Sequence, residues 1–281
     1  MDIETLRTLL EVNRTRHFRL AAEELFVTQS AVSARIKKLE EHLGVSLFER
    51  QHRDIHPTPE GRRLLRHAES MIALWRKARQ DVALANQAQI QLAIGGVVGL
   101  WDVLLQPWVE ALRQRLPALA LILEAYGTER VLRRMIDGAL DVVCVYEPPQ
   151  LEEFLIDEMA TIPLIMVSTF SGQTADQALA TDYVMVDWGQ MHALQHARQF
   201  PDAPAPAHRI SQASIALSFI LKCGGAAYLA EQMIASHLQA GVLFPVSDAP
   251  PIKRVAYAVY PRRSGRLELI RKVLEYFEPM A

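Results

Sequence analysis

The chain has 281 residues, half of them apolar and 22% charged, which is enough to fill two ordinary cores and excludes wholesale disorder. The net charge of −2 is unevenly distributed: residues 1–89 carry 15 basic and 12 acidic side chains, whereas residues 90–281 carry 15 and 20. The N-terminal third is modestly basic and the rest of the chain is acidic, which predicts an anionic partner at the N-terminal end only.

The N-terminus begins with Met1-Asp2-Ile3-Glu4, which lacks the basic and apolar regions of a signal peptide. The longest uncharged apolar stretch, from Leu92 to Trp101, falls well short of the roughly 18 residues that span a bilayer. We therefore expect a soluble cytoplasmic protein with no membrane partner.

The first 57 residues predict three short helices and a hairpin. Apolar residues at helical spacing indicate the first helix, and a second runs from about Phe18 to Leu25. Thr28 is suited to cap a third helix that ends at Gly44. The segment from Leu47 to Ile55 then predicts two short paired strands.

The segment 18–43 has the composition of a helix-turn-helix. Ala21 and Ala22 allow two helices to cross closely, and the third helix has a buried stripe that begins at Val32. Polar side chains lie off this stripe: Gln29, Ser30, Ser33, Arg35 and Lys37. Amides and hydroxyls read base edges and cations bind phosphate, so the pattern predicts a recognition helix. A structural helical hairpin with solvated charges is the alternative.

Thr58-Pro59-Glu60 predicts the start of a long helix. The helix meets no breaker before about Asn86, giving a length of about 43 Å, which a small domain cannot cover. Apolar residues recur at alternating spacings of four and three, as in a coiled-coil seam: Leu64, Ala68, Met71, Trp75, Ala78 and Val82. We expect this helix to pair with a second copy. Packing against its own head is the alternative.

From residue 90 onward, strands alternate with helices. A strand over Ile90–Ile94 precedes a predicted turn at Gly95-Gly96, and a second set of such units begins near Ile162. This alternation predicts an α/β fold with a mainly parallel sheet, divided into two subdomains.

The head resembles that of the LysR-type transcriptional regulators. The resemblance lies in Ala21-Ala22-Glu23, in the run from Thr28 to Ser33, in Leu39-Glu40 and in Leu47-Phe48-Glu49-Arg50. It implies an all-α winged helix-turn-helix with a long linker helix, then an α/β effector domain of two periplasmic-binding-protein-like subdomains. Within the family, the run Ala31–Ile36 looks most like the subgroup of the enterobacterial flagellar master operon regulator.

The resemblance also implies domain boundaries. The DNA-binding domain covers residues 1–57 and the dimerising linker helix residues 58–88, followed by the effector domain, residues 89–281. Within that domain, subdomain I takes about 89–161 and 267–281, and subdomain II about 162–266.

The same resemblance assigns DNA-binding residues. They are Thr28, Gln29, Ser30, Ser33, Arg35 and Lys37 on the third helix, with Arg50 and Arg53 in the wing. One departure stands out: Ala34 replaces the arginine that often follows the recognition-helix serine in the family. Arg35 comes next, about 100° further round the helix, so we expect its guanidinium to contact a different phosphate or base from the one that the family's arginine contacts.

The resemblance also implies an effector site. Effector domains of this family often bind a small anion between the subdomains, at helix N-termini. The corresponding residues here are Gly96, Val97, Val98, Thr128 and Tyr146. The loop Gly95–Gly99 offers no hydroxyl, whereas Thr128 stands at a predicted helix start, where its hydroxyl could face an anion. Plain capping of that helix is the alternative role of Thr128, and a peripheral position is the alternative for Tyr146. We therefore expect a small anionic, partly apolar effector and no cofactor.

These observations predict a sequence-specific regulator that binds double-stranded DNA as a homodimer or homotetramer. An effector in the cleft would shift the spacing of the heads and so the contact with RNA polymerase. An enzyme, the second hypothesis, requires a nucleophile or metal site that the sequence does not show, so we predict that the protein is not an enzyme. His192 and His196 have ligand spacing, but Ala193 stands where a zinc protease needs glutamate, so we predict no metal. The third hypothesis is an architectural DNA binder with an empty cleft. A redox role for Cys144 and Cys223 stays open.

Overall fold

The computed structural model describes residues 2–51, 54–85 and 90–277, with the side chains of all of these except 50, 51, 54, 76, 77 and 80–85. Arg53 and the side chains of Arg50 and Val82 lie outside the described residues, so the predictions for them stay predictions. The chain divides into two compact units. The first contains the long helix and also takes in residues 136–139, and the second is built on a large sheet.

The first unit begins with helices and a hairpin, here called the head. Its elements are α1 (Ile3–Thr15), α2 (Phe18–Glu24), α3 (Gln29–Leu43), β1 (Phe48–Gln51) and β2 (Asp54–Pro57). Asp2 caps α1 by accepting a hydrogen bond of 2.7 Å from the Thr5 N–H. Thr28 caps α3 in the same way, with the Ala31 N–H at 3.2 Å. The predicted helix-turn-helix and hairpin are confirmed.

The long helix, α4 (Pro59–Ala85), packs its first half on the head. Leu65, Ala68 and Ile72 are buried in the head core, whereas Met71 and Trp75 are 40% and 48% exposed. The prediction that Ala68 belongs to a seam between two chains is therefore wrong, because its methyl group is already covered by its own head. Leu64 is partly buried against the same core.

The second unit, here called the sheet domain, starts at β3. Its elements are β3 (Ile90–Val97), α5 (Val98–Leu100), a π-helical turn (Trp101–Leu105), α6 (Gln106–Arg115), β4 (Leu119–Tyr126), α7 (Thr128–Ile136), β5 (Val142–Val145), β6 (Phe154–Ser168), α8 (Ala175–Ala180), β7 (Tyr183–Val186), α9 (Gln190–Gln199), β8 (His208–Ile210), α10 (Ala213–Cys223), β9 (Ala226–Ala230), α11 (Glu231–Gln239), β10 (Phe244–Pro245), β11 (Ile252–Pro261) and α12 (Leu267–Glu275). None of the described helices is long and apolar enough to cross a membrane.

The strands of the sheet domain follow the order β4-β3-β5-β11-β6-β9-β7-β8, with β10 beside β6. Parallel pairs stand at both ends of this order, and the long strands β6 and β11 join them by antiparallel pairing. The sheet is therefore mixed, not mainly parallel as predicted. We call the part built on β3, β4 and β5 subdomain I, and the part built on β7, β8 and β9 subdomain II.

Two long strands connect the subdomains. The end of β6 pairs with β9 in subdomain II, and β11 pairs through Tyr257–Val259 with β5 in subdomain I. The β6–β11 register shifts between Ala256 and Tyr257. The chain therefore returns to subdomain I within β11, earlier than the expected boundary at 266.

Gly95 and Gly96 lie inside β3 and not in the predicted turn. They pair with Val143 and Cys144 of β5. A Cβ on Gly95 would lie 2.4 Å from the Leu140 side chain, so glycine is needed for close packing on the strand and not for reversing the chain.

Candidate nucleic-acid interface and effector cleft

The outward face of α3 carries polar side chains. Gln29, Ser30, Ser33 and Lys37 are exposed, at spacings that place them on neighbouring turns of the helix. The opposite face buries Val32, Ile36 and Leu39 in the head core. The N-terminal half of α3 therefore presents amide, hydroxyl and ammonium groups outward, as a major-groove helix requires. Thr28, also exposed, receives the Ala31 N–H and contacts the Ser30 hydroxyl at 3.0 Å.

Arg35 faces α1. Its guanidinium donates a hydrogen bond of 3.1 Å to the Thr8 hydroxyl, and its side chain is half-buried. The hydroxyl of Thr8 donates in turn to the Glu4 carbonyl at 2.7 Å. In the described structure Arg35 thus serves the internal packing of the head, unlike Lys37, which is 77% exposed.

The wing is the hairpin β1–β2, in which Gln51 pairs with Asp54. Its base is fastened by Glu40, a residue that the sequence analysis did not assign to the site. The Glu40 carboxylate accepts hydrogen bonds from the N–H groups of Leu47 and Phe48, at 2.6 and 3.3 Å. Glu40 therefore fixes the wing relative to the recognition helix.

The start of α4 is joined to the same hairpin. The Thr58 hydroxyl donates to the Ser46 carbonyl at 2.7 Å and accepts from the Gly61 N–H at 2.9 Å. Gly61 approaches the hairpin so closely that a Cβ there would lie 2.0 Å from the Leu47 carbonyl oxygen. Only glycine fits at this crossing.

The residues predicted for the effector site converge on one edge of subdomain I. Strand β3 pairs with β4 up to Val97, opposite Tyr126, and with β5 up to Gly96. The carboxyl ends of these parallel strands carry Val98, Thr128 and Tyr146, which is the edge at which open α/β sheets bind ligands. Gly96 is buried under the Trp101 and Leu105 side chains, so it contributes to the packing behind this edge and not to its surface.

Thr128 is the first residue of α7 and not its cap. The Val131 N–H donates to the Gly127 carbonyl at 3.0 Å, which places Gly127 at the cap position. The predicted N-cap role of Thr128 is therefore wrong, although its half-exposed side chain still stands at the helix N-terminus.

Tyr146 is buried at the bottom of this edge. Its ring contacts Trp188 edge-on at 6.5 Å, and the Arg254 guanidinium lies 5.1 Å from the ring centre. The Tyr146 hydroxyl has no hydrogen-bond partner among the described residues, and burial raises the pKa of this phenol. A buried polar atom without a partner between the two subdomains indicates a place for a ligand or water.

The charged residues of the cleft were not identified from the sequence. Asp102 of the π-helical turn accepts hydrogen bonds from Gln212 Nε2 at 3.1 Å and from the Ser214 N–H at 2.9 Å. Glu147, which follows β5, forms an ion pair with Arg254 and accepts from the Met191 N–H at 3.3 Å. One sequence feature could have indicated them. Arg254 lies within the apolar strand β11, and a buried charge requires a partner.

His192 and His196 lie in an aromatic cluster of subdomain II and not at its edge. The His196 ring stacks on Tyr183 at 5.4 Å, and both histidines contact Tyr228. Burial lowers the pKa of His192 to about 3 and that of His196 below its usual value. Among the described residues no group of three metal-ligating side chains exists, so the pair stands without further ligands of the usual kinds.

The cysteines differ in exposure. Cys144 is fully buried in β5, and burial raises the pKa of its thiol to about 12, which keeps it protonated. Cys223 is exposed at the end of α10. This difference favours the interpretation of Cys144 as a small apolar core residue.

Two family models match the chain. The model of the bacterial regulatory helix-turn-helix protein, lysR family, matches residues 3–62, and that of the LysR substrate binding domain matches residues 85–281. Among curated proteins, the HTH-type transcriptional regulators HdfR of Yersinia enterocolitica and of Yersinia pestis are each 34% identical over 98% of this chain and 96% of their own.

Solved structures agree on the fold. CbnR, a LysR family transcriptional regulator, has a TM-score of 0.77 at 15% identity, covering 99% of this chain and 100% of its own. Full-length CbnR complexed with its target DNA has a TM-score of 0.76 at 17% identity, covering 99% of both chains.

Proposed function

Because the chain belongs to the LysR family of DNA-binding transcriptional regulators, we propose that it acts as a sequence-specific homodimer or homotetramer whose activity is set by a small-molecule effector. RNA polymerase is the proposed downstream partner. The proposed DNA-binding residues are those of α3 and the wing, and the proposed effector site is the carboxyl edge of β3, β4 and β5.

The observation that carries this proposal is the exposed polar face of α3. Gln29 and Ser33 stand one helical turn apart on a helix whose other face is buried, so both can approach base edges at once. The hairpin beside them supplies the wing that holds the adjacent backbone or minor groove.

The exposed part of α4 supports assembly. Met71, Leu74 and Trp75 are 40%, 55% and 48% exposed, which is a large apolar surface for one helix in water. Pairing of two such helices would bring two heads together on half-sites of approximate two-fold symmetry.

Selection of bound duplexes from a random library tests the proposed function. We expect enrichment of a partially palindromic sequence, whose affinity over random duplex persists as the salt concentration rises. Enrichment of no motif, with specific and random duplex losing affinity in parallel, would contradict sequence-specific regulation and favour an architectural DNA binder.

A further inference from the structure

Among the described residues, three polar contacts join the subdomains across the cleft, and the chain's own acidic groups make two of them. The first is Asp102 at the N-terminus of α10. Its two carboxylate oxygens accept from Gln212, the residue that precedes α10, and from the backbone of Ser214 in its first turn. A negative group at a helix N-terminus meets unpaired N–H donors and the positive end of the helix dipole. Asp102 thus stands where a small bound anion would stand.

The second contact is made by the π-helical turn that carries Asp102. Pro107 has no N–H, so the Val103 carbonyl four residues earlier lacks the donor that an α-helix would give it. Gln232 of α11 supplies one, because its side-chain amide donates to this carbonyl. The turn therefore presents a carboxylate and a carbonyl, side by side in sequence, to two helices of subdomain II.

The third contact is Glu147 at the N-terminus of α9. Glu147 pairs with Arg254 and accepts from the Met191 N–H, in the first turn of the helix. Gly189, which precedes α9, has φ +89°, and a Cβ there would lie 2.7 Å from a Glu147 oxygen. Arg254 also donates to the Trp188 carbonyl at 2.9 Å, so the ion pair is built into the wall of the cleft.

We infer that Asp102 and Glu147 act as built-in ligands, which occupy the anion positions at two helix N-termini of subdomain II and hold the cleft closed without an effector. A regulatory ligand must then compete with Asp102 for the donors at α10, and closure of the cleft is the resting state. The inference deepens the proposed function and rests on it only for its effect on DNA, since closure is measurable in the absence of DNA.

The separation of the subdomains gives the direct test. Cys223 on α10 is an exposed native cysteine, Cys144 is buried, and Gln114 on α6 is exposed, so the full-length Gln114→Cys protein takes two spin labels. Dilution with unlabelled chain removes distances between protomers. We expect a narrow distance distribution for the parent, and a longer and broader one for Asp102→Ala. Added sodium acetate should restore the narrow distribution in Asp102→Ala, because acetate replaces the missing carboxylate.

Thermal unfolding gives a second readout. Asp102→Ala should lower Tm by about 2–4 °C, and acetate should raise the Tm of this variant more than that of the wild type at equal ionic strength. Comparing the increments separates this site from any anion bound near Thr128, which would stabilise both proteins equally.

Asp248→Ala is the matched control. Asp248 accepts from the Ala175 N–H at 2.9 Å at the start of α8, so it is also a carboxylate at a helix N-terminus, but both partners lie in subdomain II. Its removal should lower Tm without changing the label distance. If Asp102→Ala does not fold, Asp102→Asn, which keeps the shape and loses the charge, decides by the same distance. An unchanged distance in a folded Asp102 variant, or an equal acetate increment in Asp102→Ala and wild type, would overturn the inference.

Discussion

Arg35 and Thr8 are joined by a hydrogen bond of 3.1 Å that ties the recognition helix to α1. Thr8 is fully buried, so its hydroxyl depends on this donor and on the Glu4 carbonyl for its hydrogen bonds. A cation expected to bind DNA therefore also stabilises the head.

Arg35 and Lys37 should consequently respond differently to alanine. Arg35→Ala should lower the free energy of unfolding of the head by about 1 kcal/mol, because it leaves the Thr8 hydroxyl without its donor. Lys37→Ala should leave stability unchanged and lower the slope of log affinity against log salt by about 0.9, the value for one phosphate contact. Urea unfolding and DNA titrations at several salt concentrations measure both. A normal stability for Arg35→Ala with a reduced slope would show that Arg35 contacts phosphate.

Gln29 and Ser33 should determine base recognition. Gln29→Ala and Ser33→Ala should each lose about 1–3 kcal/mol on the selected site and much less on random duplex, because base-edge hydrogen bonds exist on the selected site only. Lys38→Ala, on the same helix and also exposed, is the control. Equal losses on both duplexes would mean that these side chains only position the backbone.

Assembly should depend on the exposed half of α4. Trp75→Glu should dissociate the oligomer and abolish tight binding to a two-half-site duplex while the head stays folded, because Trp75 is already half-exposed in one chain. Ala68→Glu should instead unfold the head, because it buries a charge in its core. Light scattering and circular dichroism distinguish the two effects. A Trp75→Glu protein that keeps its mass would place the interface elsewhere.

Stability should fall below pH 6.5 because of His192. Burial lowers the pKa of His192 to about 3 in the folded protein, so the unfolded chain binds a proton that the folded chain does not. The free energy of unfolding should decrease as the pH falls from 6.5 towards 3, by up to about 1.4 kcal/mol per pH unit for this residue. Urea unfolding of wild type and His192→Phe at pH 7.5, 6.5 and 5.5 measures it. The two proteins should diverge below pH 6.5, and parallel curves would contradict the assignment.

Thr128 should contribute to effector binding. Thr128→Val should weaken binding of a small carboxylate by about 0.5–3 kcal/mol, because the hydroxyl at the N-terminus of α7 is lost while the side-chain volume is kept. A thermal-shift series of aliphatic and aromatic monocarboxylates with the full-length protein identifies the ligand, and titration of the variant follows. DNA affinity without ligand should stay the same. Unaltered carboxylate affinity would remove Thr128 from the site.

The sequence predicted the elements whose pattern is local. Thr28 and Gly44 mark the ends of α3 by their cap chemistry, and the alternation of strands and helices gave the class of the sheet domain. The assignment of Ala68 failed because a helix that packs on its own core and a coiled coil share the same four-three spacing.

The contacts of the cleft could not be predicted for a different reason. Asp102 and Gln212 are 110 residues apart, and each is an ordinary polar residue in its own segment. Their pairing arises only when the two subdomains come together, so neither the residue spacing nor the local secondary-structure propensity predicts it. Arg254, buried in a strand, signals that a partner exists but not which one.

The close crossing of Gly61 over Leu47 has a mechanical consequence. With no side chain between helix and hairpin, and with Thr58 bonded to both Ser46 and Gly61, there is no compressible layer at this joint. A movement of α4 should therefore displace the wing and not deform the joint between them. In a dimer paired through α4, a change in the angle at which the two α4 helices cross would therefore change the distance between the two wings.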